Sequence, residues 1–277
     1  MHARGTLDGD RKPEIRKLCD YISRPRKTYS EDAATDPSRW LPMLPVLYDD
    51  SVPHRGKFIT FEGLDGCGKS TQIEKLAAAL RAYGLPLVVT REPGGTPMGE
   101  KIRQVLLDSG TAGLAPLAEL ALMFASRAQH IKEVIHPALA DGRILLCDRF
   151  TDSTEAYQGG GRKLSSQPVL ALHRILCGDL QPELTILMDS EVTQSVERAR
   201  RRNKSRGPRN GGRHDENRFE QESRAFFERV RHAYLAIAAR ESERVVTVDA
   251  RGTADETHQK ILEIVRRRLK LTARTSF

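Results

Sequence analysis

The stretch FEGLDGCGKST, residues 61–71, places Gly63-x-x-x-x-Gly68-Lys69-Ser70 directly after an apolar run. Glycines so closely spaced carry a conformational cost, tolerated where a ligand must approach the backbone. In a strand-to-helix turn, the N–H groups of Gly63, Leu64, Asp65, Gly66, Cys67, Gly68, Lys69, Ser70 and Thr71 form an anion-binding concavity, reinforced by the positive end of the helix. The Lys69 ammonium then reaches the terminal phosphates of a nucleoside triphosphate, and the Ser70 hydroxyl ligates Mg2+. Cys67 reads as a small spacer, with a thiol pKa that the helix N-terminus would lower. Kinases, switch GTPases and motor ATPases all share such a loop, so the second substrate's site must decide among them.

More side chains with chemical potential sit where apolar runs end: TREPGGT (90–96), CDRFTDSTEAYQGGGR (147–162), MFASR (123–127) and RFEQE (218–222). Asp148 closes an apolar run, as does a carboxylate acting on Mg2+ or its waters in phosphate-loop enzymes. Arginine's planar fork can hold phosphate oxygens in a fixed orientation, which in-line transfer requires.

The elements that must position these groups are legible as alternation. Short, nearly continuous apolar runs occur at 57–61, 85–90, 143–148, 184–189 and 244–249. They have the length and composition of strands buried on both faces. Helical patterns are predicted near 99–108, 115–140, 166–178, 191–202, 218–241 and 254–269. The first predicted helix, after the glycine loop, carries Ile73, Leu76, Ala77 and Leu80 and ends at Gly84. Alternation of this kind predicts an α/β domain with a parallel sheet. The 277 residues are 39% hydrophobic and 30% charged, without a run long enough to span a bilayer. Four cysteines without CxxC spacing fit a reduced compartment. The net charge of +8 is concentrated in 198–214 and 266–270, and a basic loop serves free phosphates as readily as a polynucleotide. Residues 1–55 lack a sustained period and read as a disordered extension, an appended arm or an upstream start; residues 271–277 read as a tail.

Taken together and in order, these motifs over about residues 57–270 resemble thymidylate kinase, the family that phosphorylates dTMP to dTDP with ATP. The resemblance implies the P-loop nucleoside-monophosphate kinase fold over 56–270: a five-stranded parallel sheet, flanking helices and an Arg-rich lid at about 198–218. It implies Mg2+ as cofactor, ATP and dTMP as substrates, a homodimer and a cytoplasmic location, with no membrane or nucleic-acid partner. By the same resemblance Arg149 and Arg103 bind the acceptor phosphate, Arg127 hydrogen-bonds thymine, and Glu92 and Pro93 shape the acceptor pocket. Ser153 and Thr154 lie near the pyrimidine edge. Tyr157 and Gln158 lie beside sugar and base, the tyrosine leaving little room for a ribose 2′-OH. Asp65 sits near acceptor and metal, and Ser70 with Asp148 forms the metal pair. Met123 and Phe124 share a helix face with Arg127; either can cover the base, and Phe124 is preferred for its ring.

Eukaryotic-type members carry an arginine inside the phosphate loop, where this chain has Gly66. The bacterial-like arrangement draws the catalytic arginine from the lid instead. Arg198, Arg200 and Arg202 have the family spacing; Arg202 is the first choice, with Arg206 and Arg209 as alternatives in the longer loop. Lys69, Arg149, Asp65 and Arg202 are thus the expected catalytic set. Three rivals remain open: a kinase with another nucleotide acceptor, a nucleotide-dependent switch, and a nucleic-acid-binding ATPase. The switch is disfavoured because no N-K-x-D follows the third strand.

Overall fold

In the computed structural model, the residues described are 56–111, 113–206 and 218–270. The expected arm at 1–55, the tail at 271–277, and Arg209 lie outside them. Five strands form one parallel sheet in the order β2-β3-β1-β4-β5: β1 Lys57–Glu62, β2 Leu87–Arg91, β3 Ile144–Asp148, β4 Leu184–Asp189 and β5 Val245–Asp249. Each lies within two residues of its apolar run. The central strand shows why the pattern is apolar throughout. Ile59 and Phe61 face one layer and Phe58 the other, with all three almost wholly buried. Complete burial of one such side chain contributes about 2 kcal/mol.

Helices cover both faces. α1 (Lys69–Ala82) and α9 (Ala254–Leu269) pack on the Ile59 side through Leu76, Leu80, Ile261 and Val265. α9 starts with a capping box in which Thr253 and Glu256 satisfy each other's backbone N–H. On the Phe58 side lie α3 (Pro116–His130), α4 (His136–Ala140) and α6 (Ser166–Cys177). α2 (Pro97–Leu107) precedes α3 and packs against it. The short α5 (Thr151–Thr154) follows β3, α7 (Val192–Arg206) follows β4, and α8 (Arg224–Arg240) leads into β5.

Besides α7, which runs to Arg206 rather than ending at 202, the helices differ from the sequence reading in three places. The span expected as one helix over 115–140 is broken by a π-helical turn at Ile131–Ile135, just before Pro137. α8 begins only at Arg224, where Ser223 caps it by accepting from Phe226 N–H. Residues Glu155–Gly161, glycine-rich and without helical periodicity, nonetheless form a π-helical segment continuous with α5. α8 presses against it so closely that a Cβ on Gly161 would lie 2.6 Å from the Phe226 ring. Packing by a distant helix, invisible to local propensity, sets this segment's conformation.

Because every strand is parallel, all five carboxyl ends share one edge, and the loops bearing the chemistry gather there. The loop after β1 is pressed directly against α7. A Cβ built on Gly66, whose φ is +82°, would stand 2.1 Å from the Ser195 carbonyl oxygen and 2.9 Å from the Ala199 nitrogen. Gly66→Ala should therefore lower the unfolding free energy by about 2–3 kcal/mol, from backbone strain and the clash together. Gly113→Ala, with nothing within 4 Å, is the control expected to be near neutral. Urea unfolding midpoints read both, and equal midpoints would mean that α7 is not held against the loop.

Candidate active site

Gly66, Gly68, Lys69, Ser70 and Thr71 line a polar cavity at the start of α1, while Leu64 and Cys67 turn their side chains into the core. Lys69 folds over the loop, and its ammonium donates to the carbonyl oxygens of Gly63 (3.1 Å) and Leu64 (3.0 Å). The expectation of a lowered Cys67 pKa is corrected: burial pushes this thiol up, and the Lys69 charge offsets that only in part. Ser70 Oγ donates to Asp148 Oδ2 at 3.3 Å, whereas Asp148 Oδ1 is buried without a hydrogen-bond partner. A buried carboxylate oxygen with no donor is costly, and beside a hydroxyl it is the kind of ligand a hard divalent cation takes. This pair fits Mg2+.

Next to it, Arg149 has a left-handed backbone, φ 76°, rare for a side-chain-bearing residue and concentrated at functional sites. Its N–H donates to Phe61 O, and its guanidinium contacts residues from four elements or loops. Nη2 meets Asp65 at 2.8 Å and the Tyr157 hydroxyl at 3.2 Å, and Nη1 meets Ser153 Oγ at 2.9 Å and the Tyr234 hydroxyl at 3.0 Å. Arg149 and Lys69 hold the Asp65 carboxyl well below the usual range, against the upward push of burial.

Beneath this arginine lies a residue that sequence reasoning passed over. Glu62, the last residue of β1, is wholly buried; it accepts from Phe150 N–H at 2.7 Å, from the Tyr234 hydroxyl at 3.0 Å and from Ser153 Oγ. Burial first, and then the negative charge of Asp152, push its pKa up to about 7. The available signal was an acidic residue inside an otherwise apolar run, at the "E" of FEG.

A second cavity adjoins the first and is lined by every residue assigned to the acceptor except Phe124. Arg127 dominates it. Its Nε donates to Glu92 at 2.7 Å and Nη2 to Thr154 Oγ1 at 2.8 Å, while Nη1 is buried without a partner. Glu92 also meets His130 Nδ1 at 2.9 Å, and the opposite ring nitrogen lies 2.7 Å from Thr90 Oγ1. The Phe124 expectation is corrected here. Its ring is wholly buried in the core with the Arg127 guanidinium 4.7 Å from its centroid, so it supports the arginine from behind. Met123, one residue earlier, lines the cavity instead. Offsets of three and four residues share a helix face only coarsely, and a ring this large is drawn to the core side. Pro93 contributes its carbonyl, which accepts from Arg103 Nη1 at 3.1 Å.

The basic segment divides by role. Arg202 lines both cavities and Arg198 the first, whereas Arg200 donates to the backbone oxygens of Glu220 (2.9 Å) and Glu222 (3.3 Å). Arg218 is buried, bonded to Glu119 and to Leu106 O. The cavities share five residues: Asp65, Glu92, Arg103, Arg149 and Arg202. A group passing between them meets three guanidiniums.

Comparison with known proteins gives a consistent result. A family model described as thymidylate kinase matches residues 61–261. The chain is 49% identical over 213 residues to the thymidylate kinase of Trichlorobacter lovleyi, covering 76% of this chain and 98% of that one. It is 45% identical over 214 residues to that of Geobacter sulfurreducens, covering 77% and 98%. A crystal structure of thymidylate kinase from Ehrlichia chaffeensis superposes with a TM-score of 0.60 at 28% identity, covering 76% of this chain and 98% of that one.

The raised pKa of Glu62 has a definite linkage sign. Because the folded state binds this proton more tightly than the unfolded chain, the stabilisation is complete below about pH 4.5 and lost as pH rises through about 7. Glu62→Gln, neutral throughout, should gain on the parent by on the order of 2–3 kcal/mol between pH 4.5 and 7.5. Urea unfolding of both proteins at the two pH values measures the change, and a constant difference would mean that Glu62 titrates normally.

Proposed function

The chain belongs to the thymidylate kinase family, and from that premise we propose a mechanism in which phosphoryl transfer from ATP to dTMP crosses the wall shared by the two cavities. The enzyme phosphorylates dTMP to dTDP. The observation carrying the residue assignments is that shared wall, because a transferring phosphoryl group needs converging cations and little acid–base chemistry.

The triphosphate of ATP lies along the loop 63–71, on its N–H groups and at the positive end of α1. Lys69 leaves the loop's own carbonyl oxygens for the β- and γ-phosphates. Ser70 and Asp148 would hold Mg2+, which would supply positive charge to the polyphosphate there. The dTMP phosphate is received by Arg149 and Arg103. Arg149 is pre-organised by Asp65, Tyr157 and Tyr234, so little reorganisation accompanies the reaction. Arg127 donates to the pyrimidine through its unpartnered Nη1, with Thr154 and Gln158 around the base, Met123 over it and Phe124 buttressing the arginine. Tyr157 crowds the sugar. Arg202, reaching both substrates from α7, supplies the positive charge that the loop lacks at Gly66.

We also assign the 56–270 domain the whole activity, with 1–55 as an appended segment. A homodimer is supported by the exposed apolar side chains Met98 and Val105 of α2 and Leu117 of α3, and a cytoplasmic location follows from the resemblance.

A coupled assay with Mg-ATP against a panel of nucleoside monophosphates should show dTMP turned over fastest, dUMP more slowly and purine monophosphates very poorly. Equal rates for dTMP and dCMP would remove the acceptor assignment. Within the basic segment, Arg202→Ala should lower kcat by roughly 10²–10³ while changing the KM for dTMP little, as expected for a cation engaged in the transition state. Arg200→Ala should stay within a few-fold; comparably mild effects at both positions would leave Lys69 and Mg2+ as the main charge carriers.

A further inference from the structure

Behind Gln158, which lines the acceptor cavity, lies Glu119, a residue the mechanism has not used. Glu119 lies on α3, and its carboxylate is about as buried as any in the domain, with 1% of the side chain exposed. Two guanidiniums flank it: Arg162, with Nη2 3.1 Å from Oε2 and Nε 3.2 Å from Oε1, and Arg218 through Nη2. Flanked by these guanidiniums, both of its oxygens act as hydrogen-bond acceptors. The Gln158 side chain meets its Oε1 at 2.7 Å. An amide has one end that donates and one that accepts, and only Nε2 can face an accepting oxygen. The opposite end, Oε1, has no hydrogen bond among the described residues, and Gln158 lines the acceptor cavity together with Arg127.

We propose that Glu119 is a positioning residue for base recognition, acting through the Gln158 amide. Its fixed carboxylate dictates which end of that amide is turned from it, so the cavity is offered an acceptor at Gln158 together with the donor Arg127, which lines the same cavity. A donor beside an acceptor complements a pyrimidine whose ring edge carries a carbonyl next to an N–H, as thymine and uracil do. Cytosine presents the inverse, an amino group next to an unprotonated ring nitrogen, and would oppose donor to donor and acceptor to acceptor. An arginine alone selects one position; the amide adds the second, and a flipped amide would cancel its contribution. Because Glu119 also holds Arg218 and Arg162, the same carboxylate ties the return of the basic segment to the wall that reads the base.

This inference rests on the dTMP acceptor reading, and the test separates the two. The dissociation constants of dTMP and dCMP are measured by calorimetry for the parent, Glu119→Gln, Gln158→Met and the double variant. Glutamine at 119 can donate as well as accept, which releases the Gln158 amide to turn over. Glu119→Gln should reduce the dCMP-to-dTMP ratio by about tenfold, a single mismatched hydrogen bond's worth. Gln158→Met should reduce it comparably, and the double variant no further than Gln158→Met alone. Glu119→Asp, which stays an obligate acceptor, should hold the ratio within about twofold of the parent. An unchanged ratio in Glu119→Gln, equal losses on both backgrounds, or a loss in Glu119→Asp matching that in Glu119→Gln would overturn the positioning role. Should Glu119→Gln not fold, Gln158→Met alone decides, an unchanged ratio overturning the proposal. A parent that bound dTMP no better than dCMP would remove the acceptor reading itself, and this inference with it.

Discussion

The site depends on keeping one guanidinium still. Arg149 adopts a left-handed backbone at the end of β3 and spends its donors on Asp65, Ser153, Tyr157 and Tyr234, groups from the phosphate loop, the helical segment after β3, and α8. Asp65 supplies the charged partner and the three hydroxyls fix the remaining donors. Together they leave the cation one orientation, in a region where burial would otherwise make an unpaired charge prohibitive. Glu62 extends the same logic one layer deeper. By accepting from Ser153 and Tyr234 it fixes the hydroxyls that fix the arginine, and it is carried on the central strand of the sheet. Positional precision at the surface of this site thus derives from the core.

The fold was largely readable because parallel strands buried on both faces write themselves as apolar runs, and all five runs became strands. The loop at 63–71 was readable for a different reason, since its spacing is imposed by phosphate geometry rather than by neighbours. What escaped was chemistry created by burial. Glu62 sits in an apolar run and Tyr234 in an ordinary amphipathic helix, and neither position suggests that their side chains meet. The placement of Phe124 was misjudged by one residue because its ring is anchored by core packing around Arg127, and Met123 takes the cavity side. The π-helical segment at Glu155–Gly161 has no local signature either, being held by α8, a helix distant in sequence.

The basic balance of the chain also takes on a different meaning in three dimensions. Among the described residues, several arginines are tied to carboxylates and do not form a free positive face. Arg231 pairs with Asp189, Arg240 with Glu155, Arg244 with Asp152, and Arg218 with Glu119. Exposed members of this group add little stability singly, whereas those reaching buried carboxylates neutralise charges that would be costly alone. The positive groups left facing the cavities are the ones a polyphosphate would meet.

The contact between Gly66 and α7 restricts how this architecture can change over evolutionary time. A side chain at position 66 would occupy the volume of the Ser195 carbonyl, so an arginine could enter the loop only if α7 withdrew. Withdrawing α7 would carry Arg202 away from the cavities it lines. Cation from the loop and cation from the helix are therefore rival occupants of one space. A lineage moving from one to the other by single substitutions would pass through an intermediate with neither cation well placed.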